Sequence, residues 1–254
     1  MISIKDKYEI ELMKDAGKIV GEVLNLLEEK IKPGITTKEL DKFAENYIIE
    51  HGAYPSFKGQ EGFDGAQRYP ATVCASVNEE IIHGIPGKRV LKEGDIISID
   101  VGACLKGYHG DAARTYAVGK ISDEASRLIA VTRESFFKGI ENAVPGKRVI
   151  DVSGAVQDYA EMNGYSLVRE FTGHGVGREL HEDPEVPNYR GRVRGIMFVP
   201  GVAIAVEPMV VAGKPNITIG KDKWLVSTAD HSLAAHYENT IIVTDGEPII
   251  TTLV

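Results

Sequence analysis

The sequence is poor in cysteine, has no long apolar run and carries no surplus of basic residues. Its two cysteines, Cys74 and Cys104, lack CxxC spacing, which excludes a disulfide framework or zinc ribbon and favours reduced thiols. No stretch approaches the ~20 apolar residues of a membrane span, and the first residues lack a signal-peptide pattern. The net charge of −8 argues against nucleic-acid binding, because phosphate contacts need a basic surface. We therefore expect a cytoplasmic protein that binds neither membranes nor, directly, nucleic acids.

Linker-like segments are absent as well. The chain has no low-complexity region and no Pro-, Gly- or Ser-rich stretch that would separate domains. With 43% hydrophobic residues, a chain of 254 residues can bury a full core without disulfides or metal staples. We expect a single domain over residues 1–254.

What is present is one order of helices and strands that occurs twice. Two segments with helical periodicity are separated by Pro33–Gly34, and the arrangement returns around Pro145–Gly146. Three residue pairs are each 112 positions apart: Pro33 and Pro145, Tyr47 and Tyr159, and Gly52 and Gly164. We interpret this as an internal duplication, with repeats at approximately 8–118 and 122–245, rather than a chance recurrence of turn residues.

In each repeat, a glycine then precedes an apolar strand that contains an acidic residue. Gly94 precedes the strand that carries Asp100, and Gly201 precedes the strand that ends at Glu207; both the glycines and the acids are 107 positions apart. If the strands meet centrally with helices on the outside, the fold is a layered α+β arrangement and the two acids converge.

A second aspartate follows Asp100 across a turn. Leu105-Lys106-Gly107 is a turn signal, and a turn centred on residues 105–106 places Asp100 and Asp111 roughly opposite each other. Directly opposed residues lie about 4.5–5.5 Å apart, so two unpaired carboxylates there would repel unless a metal ion lay between them. On these two residues alone, a buried ion pair with Arg114 is the alternative.

Three further polar residues stand in apolar or glycine-rich surroundings. Glu207 and Glu238 adjoin apolar strands, where a carboxylate is costly unless it is paired or binds a ligand. His174 lies between Gly173 and Gly175, which favours close backbone approach to a ligand over a core histidine. Four carboxylates and a neutral imidazole carry a charge that two divalent ions balance, and such a donor set favours Mn, Fe, Co or Zn.

The ordered motifs resemble type I methionine aminopeptidases, in their short bacterial form, over nearly the whole chain. They are Asn78-Glu-Glu-Ile-Ile-His83-Gly-Ile-Pro, Asp100-Val-Gly, His109-Gly-Asp111, Gly173-His174-Gly-Val-Gly-Arg, His181-Glu-Asp-Pro184, Val206-Glu207-Pro-Met and Tyr237-Glu238-Asn-Thr. The resemblance implies a pita-bread fold, in which a curved antiparallel sheet with a pseudo-twofold repeat carries helices on its outer face. It also implies five metal ligands, which match Asp100, Asp111, His174, Glu207 and Glu238.

The resemblance implies further roles. His83 matches a histidine that contacts the scissile peptide, His181 one that hydrogen-bonds the substrate carbonyl, and Glu207 the general base. Without the resemblance, His83 is equally well a turn histidine and His181 a surface residue. Tyr69, Cys74 and Trp224 match positions of a methionine pocket, although composition alone favours ordinary core for Cys74 and Trp224.

The function that the resemblance implies is removal of the initiator methionine from nascent proteins and peptides when the second residue is small. The catalytic domain would act as a monomer on nascent N-termini, by peptide hydrolysis assisted by two divalent ions. Two alternatives remain open: a proline-specific aminopeptidase or dipeptidase of the same fold, and a non-catalytic peptide-binding module. For the basic segment at residues 189–195, a solvated loop is favoured over a ribosome contact.

Overall fold

The computed structural model describes residues 2–62 and 65–254. These residues form the α-helices α1 Lys7–Lys30, α2 Thr37–Glu50, α3 Asp123–Ile140 and α4 Val149–Met162. The strands of the first half are β1 Tyr54–Pro55, β2 Val73–Val77, β3 Glu80–Ile82, β4 Ile96–Leu105 and β5 Tyr108–Ala117. Those of the second half are β6 Ser166–Leu167, β7 Gly173–Gly175, β8 Glu182–Val186, β9 Ala203–Val206, β10 Met209–Val211, β11 Ile217–Ile219, β12 Val226–Thr228, β13 Ala234–His236, β14 Glu238–Ile242 and β15 Ile249–Ile250.

The largest sheet joins the two halves of the chain. Its strands lie in the order β1-β4-β5-β14-β9-β7-β8, with β2 also paired to β4 and β15 to β14. The pairings within it are antiparallel. Two three-stranded sheets, β13-β10-β6 and β11-β12-β3, contain the remaining strands. The junction between the halves is the β5–β14 pairing, which brings the predicted acid-bearing strands side by side and confirms the α+β class.

The helices begin and end where local chemistry requires. Thr36 caps α2 with a capping box: its hydroxyl accepts from the Glu39 amide at 3.2 Å, and the Glu39 carboxylate accepts from the Thr36 amide at 2.9 Å. After α2 and α4 the chain turns at Gly52 and Gly164, with φ of +74° and +85°. A residue with a Cβ rarely adopts that conformation, so glycine favours the stop after both helices.

We expect Thr36→Ala to lower the free energy of unfolding by about 1 kcal/mol, because the substitution leaves the Glu39 amide without its capping acceptor. Urea unfolding followed by circular dichroism measures the change. Thr218→Ala is the matched control, since that exposed hydroxyl caps no helix and makes a long 3.5 Å hydrogen bond. An unchanged midpoint in Thr36→Ala would show that other contacts, not the cap, determine the stability of α2.

The helices cover the sheet through their apolar faces. The buried face of α1 includes Met13, Ala16 and Val20. At Gly17 the helix backbone comes so close to β5 that a Cβ placed on Gly110 would lie 2.8 Å from the Gly17 Cα. Gly110 is therefore required at this contact, whereas a Cβ on Gly17 would lie 2.5 Å from the Thr251 carbonyl oxygen. Within the described ranges, no helix is long and apolar enough to cross a membrane.

The β4–β5 hairpin has a different register from the predicted one. Asp100 lies opposite Ala113 and Asp111 opposite Gly102, so the two aspartates are not directly opposed. The turn consists of Lys106 and Gly107, which have φ of +52° and +80°. Positive φ at both positions is the geometry of a two-residue hairpin turn that matches strand twist, and it moves the turn along the chain. Because the offset is two residues, both carboxylates stay on the same face of the sheet.

Candidate metal centre

Five acidic and histidine side chains, four on separate strands and Glu207 directly after β9, converge at the centre of the main sheet. The His174 Nε2 atom lies 3.8 Å from Asp111 Oδ2 and 3.7 Å from Glu207 Oε1. Donor atoms of Asp111, His174 and Glu238 all lie within 4.8 Å of one another. The same limit holds for donor atoms of Asp100, His236 and Glu238, so Glu238 belongs to two adjacent donor clusters.

Strand register explains why residues distant in sequence meet here. Asp100 on β4 and Glu238 on β14 both lie opposite Ala113 on the intervening strand β5. Residues in one row across an antiparallel sheet project to the same face. Ala113 is small, so the space between the two carboxylates stays open.

Burial makes the negative charge of this cluster energetically unfavourable. The relative exposures of Asp111, Glu207 and Glu238 are 3%, 9% and 2%. Burial raises the pKa of Asp100 to about 8 and, together with the charges of neighbouring carboxylates, holds the pKa of Asp111 well above its usual range. One buried oxygen on each of Asp100, Asp111 and Glu238 lacks a hydrogen-bond donor in the described structure. Buried oxygens without donors fit a divalent cation, which would neutralise the charge and use these lone pairs.

Arg114 does not provide that neutralisation. Its guanidinium donates to the backbone carbonyl of Glu238 and to the side-chain oxygen of Asn239. Its central carbon also lies 4.2 Å from the Tyr237 ring. Arg114 therefore stabilises the backbone of β14, and the alternative of a buried ion pair with the two aspartates is wrong.

His174 is oriented for binding by its own backbone. Its Nδ1 lies 2.9 Å from the Gly175 carbonyl oxygen, which places the proton on Nδ1 and leaves the Nε2 lone pair facing Asp111 and Glu207. Burial lowers the pKa of His174 to about 3, so the ring is neutral at physiological pH. A neutral imidazole is the form that binds metals.

The glycines beside His174 pack closely against neighbouring segments of the chain. A Cβ on Gly173 would lie 2.4 Å from the Ala205 carbonyl oxygen, and one on Gly175 would lie 2.1 Å from the Asp183 carbonyl oxygen. Strand packing alone therefore requires glycine at both positions, so these glycines do not by themselves indicate a ligand. Close approach of a ligand stays a prediction.

His181 adjoins His174, and the His83 ring lies 6.0 Å from the Trp224 ring. The His181 ring is 4.4 Å from the His174 ring, and its pKa is lowered by burial. His83 is half-buried with φ of +60°, and burial, then the charge of His181, lowers its pKa to about 4. Both rings are therefore neutral near pH 7. The geometry places one uncharged imidazole, His181, beside His174 and a second, His83, beside Trp224.

An apolar cluster adjoins the acids. Tyr69, Cys74 and Trp224 share it with three further residues, Phe57, Ala71 and Leu180. The Tyr69 and Trp224 rings meet edge to face at 5.0 Å, and Trp224 is anchored by a 2.8 Å hydrogen bond from its indole nitrogen to the Gln67 carbonyl oxygen. Cys74 lies directly opposite Asp100 in the β2–β4 register. The apolar surface therefore begins one strand away from the acid cluster.

Comparison with known proteins identifies the family. The model of metallopeptidase family M24 matches residues 11–245. The chain belongs to this family. A methionine aminopeptidase of Clostridium acetobutylicum is 56% identical over 254 residues, which cover 100% of this chain and 99% of the relative. The crystal structure of methionine aminopeptidase from Rickettsia prowazekii superposes with a TM-score of 0.95 at 39% identity, with 100% of both chains covered. The predicted pita-bread fold and the resemblance to methionine aminopeptidases are confirmed.

The M24 metallopeptidase also shares its fold with proline-specific enzymes. A prolidase of Pyrococcus furiosus gives a TM-score of 0.77 at 22% identity, and the match covers 99% of this chain but 65% of the prolidase. Identity at that level shows the fold alone. Membership of a metallopeptidase family means that the protein uses divalent metal, and the cluster of Asp, His and Glu side chains is a site able to hold it.

Sequence reasoning missed one histidine in this M24 metallopeptidase. His236 ends β13, is 2% exposed, and has its Nε2 atom 3.6 Å from Glu238 Oε2. Neither of its ring nitrogens has a hydrogen-bond partner in the described structure. The signal was a histidine two residues before an acid in the apolar sequence Ala234-Ala-His-Tyr-Glu238, since alternation along a strand places both on one face.

Proposed function

We propose that this M24 metallopeptidase removes the N-terminal methionine from peptides and nascent proteins whose second residue is small. The observation that carries the proposal is the full-length similarity to methionine aminopeptidases, at 56% identity to the Clostridium acetobutylicum enzyme, with all five acidic and histidine side chains in one buried cluster. The alternatives of proline-specific cleavage and non-catalytic peptide binding are less well supported, because the proline-specific neighbour matches the fold at 22% identity only.

Asp100, Asp111, His174, Glu207 and Glu238 would hold two divalent ions of the Mn, Fe, Co or Zn type. The four carboxylates carry four negative charges and His174 is neutral, so two divalent ions balance the site. When bound, such ions polarise a carbonyl and lower the pKa of a coordinated water so that it is nucleophilic at neutral pH.

Residues of the chain itself supply the remaining proton transfers and hydrogen bonds. Glu207 accepts the proton of the attacking water and passes it to the leaving amine, with His83 as a second proton carrier. His181 donates a hydrogen bond to the carbonyl oxygen as negative charge develops there. Its depressed pKa keeps the ring neutral, so it donates through N–H without adding a cation to the metal site.

Tyr69, Cys74 and Trp224 form the pocket for the methionine side chain. The apolar cluster is buried, and burial with the charge of Asp100 holds the pKa of the Cys74 thiol well above its usual range. A neutral thiol and two aromatic rings suit a flexible, polarisable thioether. Because Cys74 lies opposite Asp100, a side chain in this pocket would place its own backbone carbonyl close to the acids.

We expect metal-stripped protein to be inactive on Met-Ala-Ser and to regain activity when Mn, Fe, Co or Zn is added, since the acids cannot activate water alone. Peptide hydrolysis, followed by chromatography for free methionine, measures this. The control peptides are Met-Lys-Ser, which tests the small second residue, and Ala-Pro-Ser, which tests proline specificity. Cleavage of Ala-Pro-Ser without release of methionine would favour the proline-specific alternative, and binding without hydrolysis would favour the peptide-binding one.

The setting we propose is the cytoplasm, where a monomer would meet nascent N-termini. The contacts of the basic segment at residues 189–195 favour a solvated loop over a ribosome contact. Its Arg190 guanidinium pairs with the Asp158 carboxylate on α4, and the Tyr189 hydroxyl donates to the Arg169 carbonyl oxygen at 2.9 Å. Part of the loop is therefore already engaged with its own chain.

A further inference from the structure

His236 is buried without any of the contacts that usually stabilise a buried histidine. Its side chain is 2% exposed, and in the described structure neither ring nitrogen donates or accepts a hydrogen bond. An unsatisfied polar group in this position costs about 1–3 kcal/mol. A ring that merely filled space would more favourably be an apolar residue of similar size, so the imidazole indicates a ligand.

Hydrogen bonds to Thr115 fix the backbone of His236 and thereby the direction of its side chain. The His236 amide donates to the Thr115 hydroxyl oxygen at 2.8 Å, and the same hydroxyl donates to the His236 carbonyl oxygen at 2.9 Å. Tyr237 then projects to the opposite face, where Arg114 lies over its ring. Alternation along the chain places His236 and Glu238 on one face, towards Asp100.

The spacing of His236 and Glu238 resembles that of His174 and its carboxylates. His236 Nε2 lies 3.6 Å from Glu238 Oε2, and His174 Nε2 lies 3.7 Å from Glu207 Oε1. These distances are too long for hydrogen bonds. Two donors at about 2.0–2.2 Å from one divalent ion are roughly 3–4 Å apart, so both spacings suit a shared cation.

We propose that His236 is a sixth protein ligand of the metal pair, acting with Asp100 and Glu238. The proposal rests on the metal pair of the proposed function and adds a ligand to it. With His174 the centre then offers two imidazoles, while the four carboxylates still balance two divalent charges.

A second imidazole has a consequence for metal choice. Nitrogen donors suit Zn, Co and Fe better than they suit Mn, whose preference is for oxygen. Replacement of His236 by glutamine keeps a polar side chain but substitutes a weaker oxygen donor. The variant should therefore lose affinity for Co²⁺ more than for Mn²⁺.

The test uses Co²⁺ as the probe on metal-free full-length protein, with calorimetric titration and X-ray absorption spectroscopy to count imidazoles per cobalt. Wild type should show about one imidazole per ion when two ions are bound. His236→Gln should show about half that number and bind one of the two ions roughly 10- to 100-fold more weakly. His51→Gln, at the exposed end of α2, is the control for loss of an unrelated imidazole and should match wild type.

An imidazole count of one per metal pair in wild type would overturn the proposal, whether or not the variant folds. An unchanged count in His236→Gln would do the same, even with weakened affinity. Methionine release from Met-Ala-Ser is measured separately on the wild type. If that release is absent while the count is two per pair, the proposed function fails and the His236 ligand stands.

Discussion

Asp111→Asn should lower kcat/KM on Met-Ala-Ser by about 10³-fold or more, equivalent to roughly 4 kcal/mol of transition-state stabilisation. Asp111 lies within 4.8 Å of donor atoms on both His174 and Glu238, so its carboxylate is central to one of the two donor clusters. Asparagine keeps the shape but replaces an anionic oxygen with an amide. Metal affinity should fall at least about 100-fold, the upper end of the loss for residues that only support a ligand.

The stability of the same variant separates loss of function from loss of fold. Without metal, burial and then the neighbouring carboxylates raise the pKa of Asp111, which means that its charged form destabilises the folded state. Metal-free Asp111→Asn should therefore unfold at a temperature no lower than metal-free wild type. Asp15→Asn is the control, because its carboxylate forms only an exposed 3.4 Å pair with Lys106. Near-normal turnover with near-normal metal binding in Asp111→Asn would contradict the site.

His181→Ala should lower kcat by about 10²- to 10³-fold, as expected for loss of one donor to a developing oxyanion. The ring lies 4.4 Å from the His174 ring, close to the carboxylate cluster, yet it belongs to neither donor cluster. Metal affinity should consequently stay within a few-fold of wild type. Steady-state kinetics with saturating Co²⁺, alongside calorimetric titration of the ion, distinguishes the two effects.

Partial rescue tests the chemistry assigned to His181. His181→Gln retains an N–H donor and should recover part of the lost kcat, whereas alanine should not. Because the interaction strengthens in the transition state, KM should change much less than kcat. A variant that raises KM and leaves kcat unchanged would assign His181 to ground-state binding of the peptide instead.

Much of the fold was predictable because short-range sequence signals mark the ends of the helices in each half of the chain. The Thr36–Glu39 capping box, the Ser122 cap of α3 and the glycines at 52 and 164 are all short-range signals. Hairpin register was predicted less well. The turn at Lys106–Gly107 requires positive φ at a lysine, and strand twist, rather than local propensity, favours that placement.

Some residues of the site were predictable from sequence and others were not. Asp100, Asp111, Glu207 and Glu238 stood out because a carboxylate in an apolar strand has few structural explanations. The glycines around His174 are a weaker signal, since close packing of strands and close approach of a ligand both require glycine, and sequence does not distinguish them. His236 was missed because its isolation from hydrogen-bond partners is a three-dimensional property.

The β5–β14 pairing makes the site a property of both halves of the chain. Asp100 and Asp111 come from the first half, and His174, Glu207 and Glu238 from the second. A cation that binds only when these strands are side by side favours the assembled state over any opened one, by about 2.7 kcal/mol at a free concentration 100-fold above its dissociation constant. The metal centre would therefore also hold the two halves of the chain together, and scarcity of metal would lower the stability of the whole molecule as well as its turnover.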